Sequence, residues 1–165
     1  MGSSPDGFVA DGRLPAVGTV APDFELVDQH GTPVRLSSFQ GARNVLLVFY
    51  PWSFSRTCTG ELCVLRDDLA SFQKDDAQLL AISIDSKYVQ RQFAEREGFE
   101  FPLLADFWPH GEVARRYGVF DDVKGAAVRG TFVIDRSGIV RWSVVRDIPD
   151  ARDAQEYRRV LAELR

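Results

Sequence analysis

The chain has two cysteines, Cys58 and Cys63, five positions apart within residues 49–63, FYPWSFSRTCTGELC. Two thiols at this spacing admit four readings: a zinc site, a structural disulfide, a dithiol switch, or two small buried side chains. On an ideal helix, positions i and i+5 have Cα atoms ~8.7 Å apart, from ~7.5 Å of rise and ~140° of rotation. A disulfide tolerates only about 7 Å. A helix that carries both residues must therefore unwind a turn before they can bond. Gly60 lies between them and weakens that turn by ~1 kcal/mol relative to alanine.

Helical periodicity starts near Thr57, so Cys58 falls at a helix N-terminus. Unsatisfied N–H groups and the positive dipole end favour an anionic sulfur there. Nucleophilicity falls as a thiol becomes more acidic, so a fast thiol enzyme also needs partners that stabilise the leaving group. Ser55 offers a hydroxyl three residues before Cys58, and Pro51 closes the preceding strand as a rigid apolar shield without an N–H. Arg129 precedes a later strand and reaches the site if that strand is adjacent in the sheet. Glu61 follows Cys58 by one helical turn; a bare carboxylate opposes a thiolate, so its useful role is to orient Arg129. Blander roles compete. Ser55 could simply cap the helix, and Leu62, Cys63 and Leu65 could all face the core. His30 and His110 show no metal-ligand spacing with the cysteines, so no zinc site is expected.

The elements that must position these residues follow from periodicity. Residues 24–27 and 34–36 flank a turn at 28–31 and read as a hairpin. Residues 44–50, NVLLVFY, form a continuous apolar run, as in a strand buried on both faces. Leu62, Leu65, Leu69 and Phe72 give residues 57–73 a helical pattern. Further strands are expected at 79–84, 102–105, 130–134 and 139–144. Helices are expected at 87–97, 112–117 and 151–164, the last with Tyr157, Val160, Leu161 and Leu164 on one face. The sum is an α/β fold: a mixed central β-sheet flanked by helices on both faces, with an N-terminal β-hairpin. Residues 1–20 read as an irregular Gly-, Pro- and Ser-rich arm and 21–165 as one domain. The dithiol lies where a buried strand meets a helix, the end of an α/β sheet that favours catalytic sites.

Composition narrows the function. A net charge of −4 leaves no basic excess to neutralise phosphates, which argues against nucleic acid. No apolar segment approaches the ~20 residues that span a membrane. Residues 1–11 carry Asp rather than Lys or Arg and lack the apolar run of a signal peptide. Two cysteines are too few for a disulfide scaffold, and a cytoplasmic enzyme or redox protein is expected.

Pro51-x-x-x-Ser55-x-x-Cys58 after an apolar strand, with a distant Arg129, resembles the active-site pattern of the peroxiredoxins. Residues 101–111 (FPLLADFWPHG), 117–120 (YGVF) and 129–138 (RGTFVIDRSG) are most similar to the alkyl hydroperoxide reductase E type of actinobacteria. The resemblance implies a thioredoxin-like fold and a peroxidatic Cys58 that attacks the terminal peroxide oxygen. Pro51, Ser55 and Arg129 would complete the pocket, with backbone N–H groups near Thr57 and Cys58 holding the substrate. Serine at 55 departs mildly from the usual threonine and keeps the hydroxyl. Cys63 departs further, because the E type works with one cysteine. Its position resembles the resolving cysteine of peroxiredoxin Q, the bacterioferritin comigratory protein type, which closes an intramolecular disulfide after the helix opens.

The resemblance also implies a thioredoxin- or mycoredoxin-like protein reductant, neither metal nor organic cofactor, and a homodimer contact near the active-site loop. Trp52, Phe54, Phe107 and Trp108 are expected in the core or in that interface. Two alternatives stay open: a one-cysteine peroxidase with a structural Cys63, and a general thiol–disulfide oxidoreductase, against which the absence of CxxC argues.

Overall fold

The computed structural model of the chain describes residues 14–150 and 153–164. Most of the expected arm, residues 1–13, lies outside them, as do Ala151 and Arg152 at the expected start of the last helix. β1 (Glu25–Val27) and β2 (Pro33–Arg35) form the antiparallel hairpin, with Leu26 opposite Val34. Its turn is built by Asp28, whose carboxylate accepts from the N–H groups of His30 (2.8 Å) and Thr32 (2.9 Å). Gln29 in this turn is buried and pins the hairpin to a sheet edge, donating to the Phe101 carbonyl and accepting from the Leu103 N–H.

After a one-turn 3₁₀ helix, Leu36–Phe39, the apolar run becomes β3 (Asn44–Phe49), buried at every position. The single helix expected over 57–73 is two: α1 (Arg56–Asp67) and α2 (Leu69–Lys74), broken at Asp68. β4 (Ala77–Ser83) leads to α3 (Lys87–Glu97). The α3 ends are chemically fixed: Ser86 caps the Val89 N–H, and Gly98 takes the left-handed conformation at φ 72°. β5 (Leu103–Ala105), α4 (Glu112–Arg116), the short pair β6 (Phe120–Asp121) and β7 (Ala126–Ala127), β8 (Arg129–Ile134), β9 (Val140–Arg146) and α5 (Ala154–Glu163) complete the chain. The β6–β7 pair has no counterpart in the sequence expectations; two residues per strand are too few to show alternation.

The main sheet has the order β5-β4-β3-β8-β9. β3, β4 and β5 run parallel, while β8 pairs antiparallel with both β3 and β9. Alternate residues of β3, continued by Tyr50 just beyond it, feed two cores. Leu46, Val48 and Tyr50 pack with Leu62, Leu65, Phe72, Phe93 and Leu161, which come from α1, α2, α3 and α5. Val45, Leu47 and Phe49 pack on the opposite face with Leu36, Val113 and Tyr117. Each fully buried Leu, Val or Phe contributes about 1.5–3 kcal/mol of burial, so the central strand is held from both faces. Among the described residues no helix is long and apolar enough to cross a membrane.

This topology brings distant residues together. Val48 of β3 lies opposite Thr131 of β8. Two residues further along the antiparallel pair, Tyr50 and Arg129 reach the same end of the sheet, where β3 gives way to the loop before α1.

Candidate active site

The loop after β3 starts at the buried Pro51 and is tied down from below. Ser53 donates its N–H to Asp85 Oδ2 (2.8 Å), and its hydroxyl lies 3.0 Å from that of Tyr50. Asp85 Oδ2 also accepts from the Ser83 hydroxyl (2.6 Å). Burial pushes the Tyr50 phenol well above its ordinary range, so it stays neutral in this network. Phe54 adopts φ 69°, a strained value for a bulky residue. Its ring is braced by Phe93 at 5.0 Å and by the Arg96 guanidinium at 5.8 Å.

Ser55 is the N-cap residue of α1, with extended φ −71° and ψ 147°. Its carbonyl accepts from the Thr59 N–H (2.9 Å) and hydroxyl (2.8 Å). Its own hydroxyl makes no capping bond, and its Oγ is buried without a hydrogen-bond partner in the protein. The simple capping role for this side chain is therefore corrected: capping falls to the backbone, and the hydroxyl is left free. A buried free hydroxyl costs about 1–3 kcal/mol, which a polar ligand would offset.

Cys58 lies in the first turn of α1 and is fully buried. The N–H groups of Arg56, Thr57 and Cys58 belong to the four that begin any helix without an intrahelical acceptor. Arg129, itself 1% exposed, ties the site together. Its Nη1 donates to Cys58 Sγ at 3.4 Å and to the buried Glu61 carboxylate, and its Nε donates to the Ile148 carbonyl at 2.5 Å. A buried guanidinium without a countercharge would cost several kcal/mol. Glu61 neutralises it and fixes its plane, so one edge faces the sulfur.

Above this group a pocket of about 280 Å3 is lined by Trp52, Ser55, Arg56, Thr57, Lys124, Arg129, Ile148 and Pro149. Its polar groups are cations, hydroxyls and helix N–H donors, and its remaining wall is apolar. Lys124 was not anticipated from sequence. It is presented by the β6–β7 turn, where Asp121 Oδ1 accepts from the N–H groups of Val123 (2.9 Å) and Lys124 (3.0 Å). Ile148 was likewise missed, because a backbone carbonyl acceptor leaves no side-chain signature.

Cys63 lies apart from this cluster. It is half-buried against the core face that holds Leu62 and Leu65, and its thiol donates to Glu97 Oε2 at 3.6 Å. Both cysteines are free and share the unbroken helix α1. Three of the aromatic residues expected in the core or an interface are not in the core: Phe54 is 43%, Phe107 54% and Trp108 82% exposed. His30 is exposed in the first hairpin turn, and His110 Nε2 bonds the Gly125 carbonyl at 2.7 Å.

A five-stranded mixed sheet with a buried thiol in the first turn of the helix after its central strand defines a thioredoxin-like thiol protein. The family model of the AhpC/TSA family matches residues 17–143. Alkyl hydroperoxide reductase E of Mycobacterium tuberculosis is 49% identical over 148 residues, covering 90% of this chain and 97% of that protein. Peroxiredoxin 2 of Thermoplasma acidophilum is 39% identical over 154 residues, covering 90% and 75%. Among solved structures, peroxidoxin BcpB of Mycobacterium tuberculosis superposes with a TM-score of 0.82 at 35% identity, over 92% of this chain and 99% of that one. The chain belongs to the AhpC/TSA family of peroxiredoxins, and it is a thiol-dependent peroxidase with a thioredoxin-like fold.

Proposed function

We propose that the chain reduces hydrogen peroxide, organic hydroperoxides and peroxynitrite through Cys58. The carrying observation is the Arg129 guanidinium, which donates to Cys58 Sγ (3.4 Å) and also lines the pocket. The thiolate attacks the terminal peroxide oxygen, the O–O bond breaks, and the departing oxygen takes a proton to leave as water or alcohol, or, from peroxynitrous acid, leaves as nitrite. Cys58 becomes a sulfenic acid. Arg129, the free Ser55 hydroxyl and the N–H groups near Thr57 and Cys58 are the donors that would stabilise charge on the two oxygens, with Pro51 and the loop it begins as the rigid frame. Trp52, Ile148 and Pro149 suit the alkyl part of an organic hydroperoxide, and Arg56 and Lys124 suit an anionic one.

In the second step Cys63 attacks the sulfenic sulfur. The S–O bond breaks, the S–S bond forms, and hydroxide leaves with the Cys63 proton as water. A thioredoxin- or mycoredoxin-like dithiol protein then reduces the disulfide. Gly60, exposed and unobstructed between the two cysteines, supports the required opening of α1. Against it stands a one-cysteine enzyme, favoured by the contact that holds Cys63 on the core side of the helix. Two free cysteines suit a reducing cytoplasm, and the exposed Phe107 and Trp108 suit a homodimer contact. Replacement of Cys58 by serine tests the reading. Catalytic peroxide consumption should disappear, and residual turnover by the variant would refute the assignment.

A further inference from the structure

Glu97, the last residue of α3, holds α1 by two bonds. Its carboxylate accepts the Cys63 thiol at 3.6 Å, and its backbone carbonyl accepts Arg66 Nη1 at 2.6 Å. The two donors are three positions apart and occupy neighbouring sites on one face of α1. The preceding turn of α3 braces the catalytic loop through Phe93 and Arg96, which contact the ring of Phe54. The C-terminal end of α3 is thus fastened to both halves of the segment that must move if Cys58 and Cys63 are to bond. In α1 as folded, the two Cα atoms are ~8.7 Å apart by helix geometry, beyond reach of a disulfide.

We propose that Glu97 is the latch of the resolving step: it keeps Cys63 as a docked, neutral thiol and α1 helical, and so sets how long the Cys58 sulfenic acid survives. The proposal rests on the two-cysteine reading above. Release of the latch changes no electron count. It precedes the same exchange, in which the Cys63 sulfur displaces hydroxide from the Cys58 sulfenic acid and the thiol proton leaves in the water formed.

The charges around Cys63 act in both directions. Burial raises its pKa first; the Arg66 guanidinium then lowers it, and the Glu97 carboxylate and Asp67 raise it. Arg96 pairs with the other Glu97 oxygen at 3.7 Å. Substituting Glu97→Gln keeps an oxygen acceptor and the backbone carbonyl while removing the charge that opposes a thiolate. Each tenfold gain in thiolate is offset only about threefold by the lower nucleophilicity of a less basic sulfur, so the net effect is faster attack. A weaker clamp adds to the same direction.

The experiment compares wild-type and E97Q protein by rapid mixing with one equivalent of hydrogen peroxide, followed by thiol count and intact mass. The peroxide-dependent first phase should be unchanged, and the peroxide-independent second phase should be threefold or more faster in E97Q. At excess peroxide E97Q should also accumulate less Cys58 sulfinic acid. A second phase that is equal or slower in E97Q overturns the latch. If neither protein loses its second thiol and a dimedone adduct persists on Cys58, the two-cysteine reading falls and the latch falls with it. A second measurement isolates the electrostatic part in a Cys58→Ser background, where Cys63 is the sole thiol. Iodoacetamide should label it threefold or more faster at pH 7 when Glu97 is glutamine; equal labelling overturns the proposal even where the disulfide forms.

Discussion

Arg129 and Cys58, 71 positions apart in sequence, are joined by a 3.4 Å bond from guanidinium to sulfur. The antiparallel pairing of β8 with β3 brings them together, and Glu61, one helical turn beyond the thiol, holds the guanidinium in place. Positive charge at the sulfur is therefore supplied by a side chain whose own burial is compensated within the same helix. Substituting Arg129→Met should slow peroxide reduction roughly 100- to 1000-fold, the usual loss for one preorganised donor. It should also destabilise the fold by about 3–5 kcal/mol, because the buried Glu61 carboxylate loses its guanidinium partner. Adding Glu61→Gln should restore much of the stability and none of the rate, as chemical denaturation and stopped-flow kinetics would read separately.

Ser55→Ala separates binding from capping. The Ser55 hydroxyl makes no hydrogen bond within the protein, so the ~1 kcal/mol usually lost with an N-cap serine should not appear. The rate constant for peroxide should still fall about tenfold or more, the equivalent of one ~1.4 kcal/mol hydrogen bond, and Ser55→Thr should retain activity. A large loss of stability with an intact rate would show the hydroxyl to be structural.

Much of this site was legible in the sequence because its parts are local. Pro51, Ser55, Cys58 and Glu61 share one strand–loop–helix unit, and β3 and α3 carry strong patterns with clear ends. The break at Asp68 was not legible: Leu62, Leu65, Leu69 and Phe72 keep helical spacing across it, so periodicity shows no interruption. Lys124, Ile148 and Glu97 were missed for another reason. Lys124 and Ile148 reach the site, and Glu97 reaches Cys63, only through the tertiary fold, and a carbonyl acceptor or a surface lysine carries no local mark. Exposure of Phe107 and Trp108 was equally hidden, since aromatic type alone does not tell core from surface.

Gly60→Ala tests the opening of α1. An added Cβ there meets nothing within 4 Å, and the helix should gain about 0.5–1 kcal/mol. Disulfide formation should slow by up to about fivefold, the kinetic equivalent of that energy, while oxidation of Cys58 stays unchanged. Unfolding curves and the second kinetic phase give the two numbers.

Asp106 makes stability depend on pH. It accepts from the N–H groups of Val113 (3.1 Å) and Ala114 (3.0 Å). Burial, the largest influence, nevertheless raises its pKa to about 6, against those two hydrogen bonds, which lower it. In the unfolded chain an aspartate titrates near 3.9, so between these values the folded state binds the extra proton. Its contribution is full below pH ~4 and declines by about 3 kcal/mol as pH rises through 6. Asp23 and Asp135, whose pKa values are lowered, slope the opposite way below pH ~4, so the comparison is made with Asp106→Asn. The stability difference, wild type minus variant, should shrink as pH rises from 4 to 7. A constant difference in urea denaturation would contradict the assignment.

The most direct test of the account is the mass and free-thiol count of the fully reduced monomer after one equivalent of hydrogen peroxide, with dimedone in a parallel sample. A Cys58 peroxidase resolved by Cys63 predicts loss of both thiols, a mass lower by about two units from the two thiol hydrogens of one disulfide, and little adduct. A persistent dimedone adduct on Cys58 with Cys63 still free would contradict the two-cysteine cycle. A Cys58 that stays a free thiol would contradict the account as a whole.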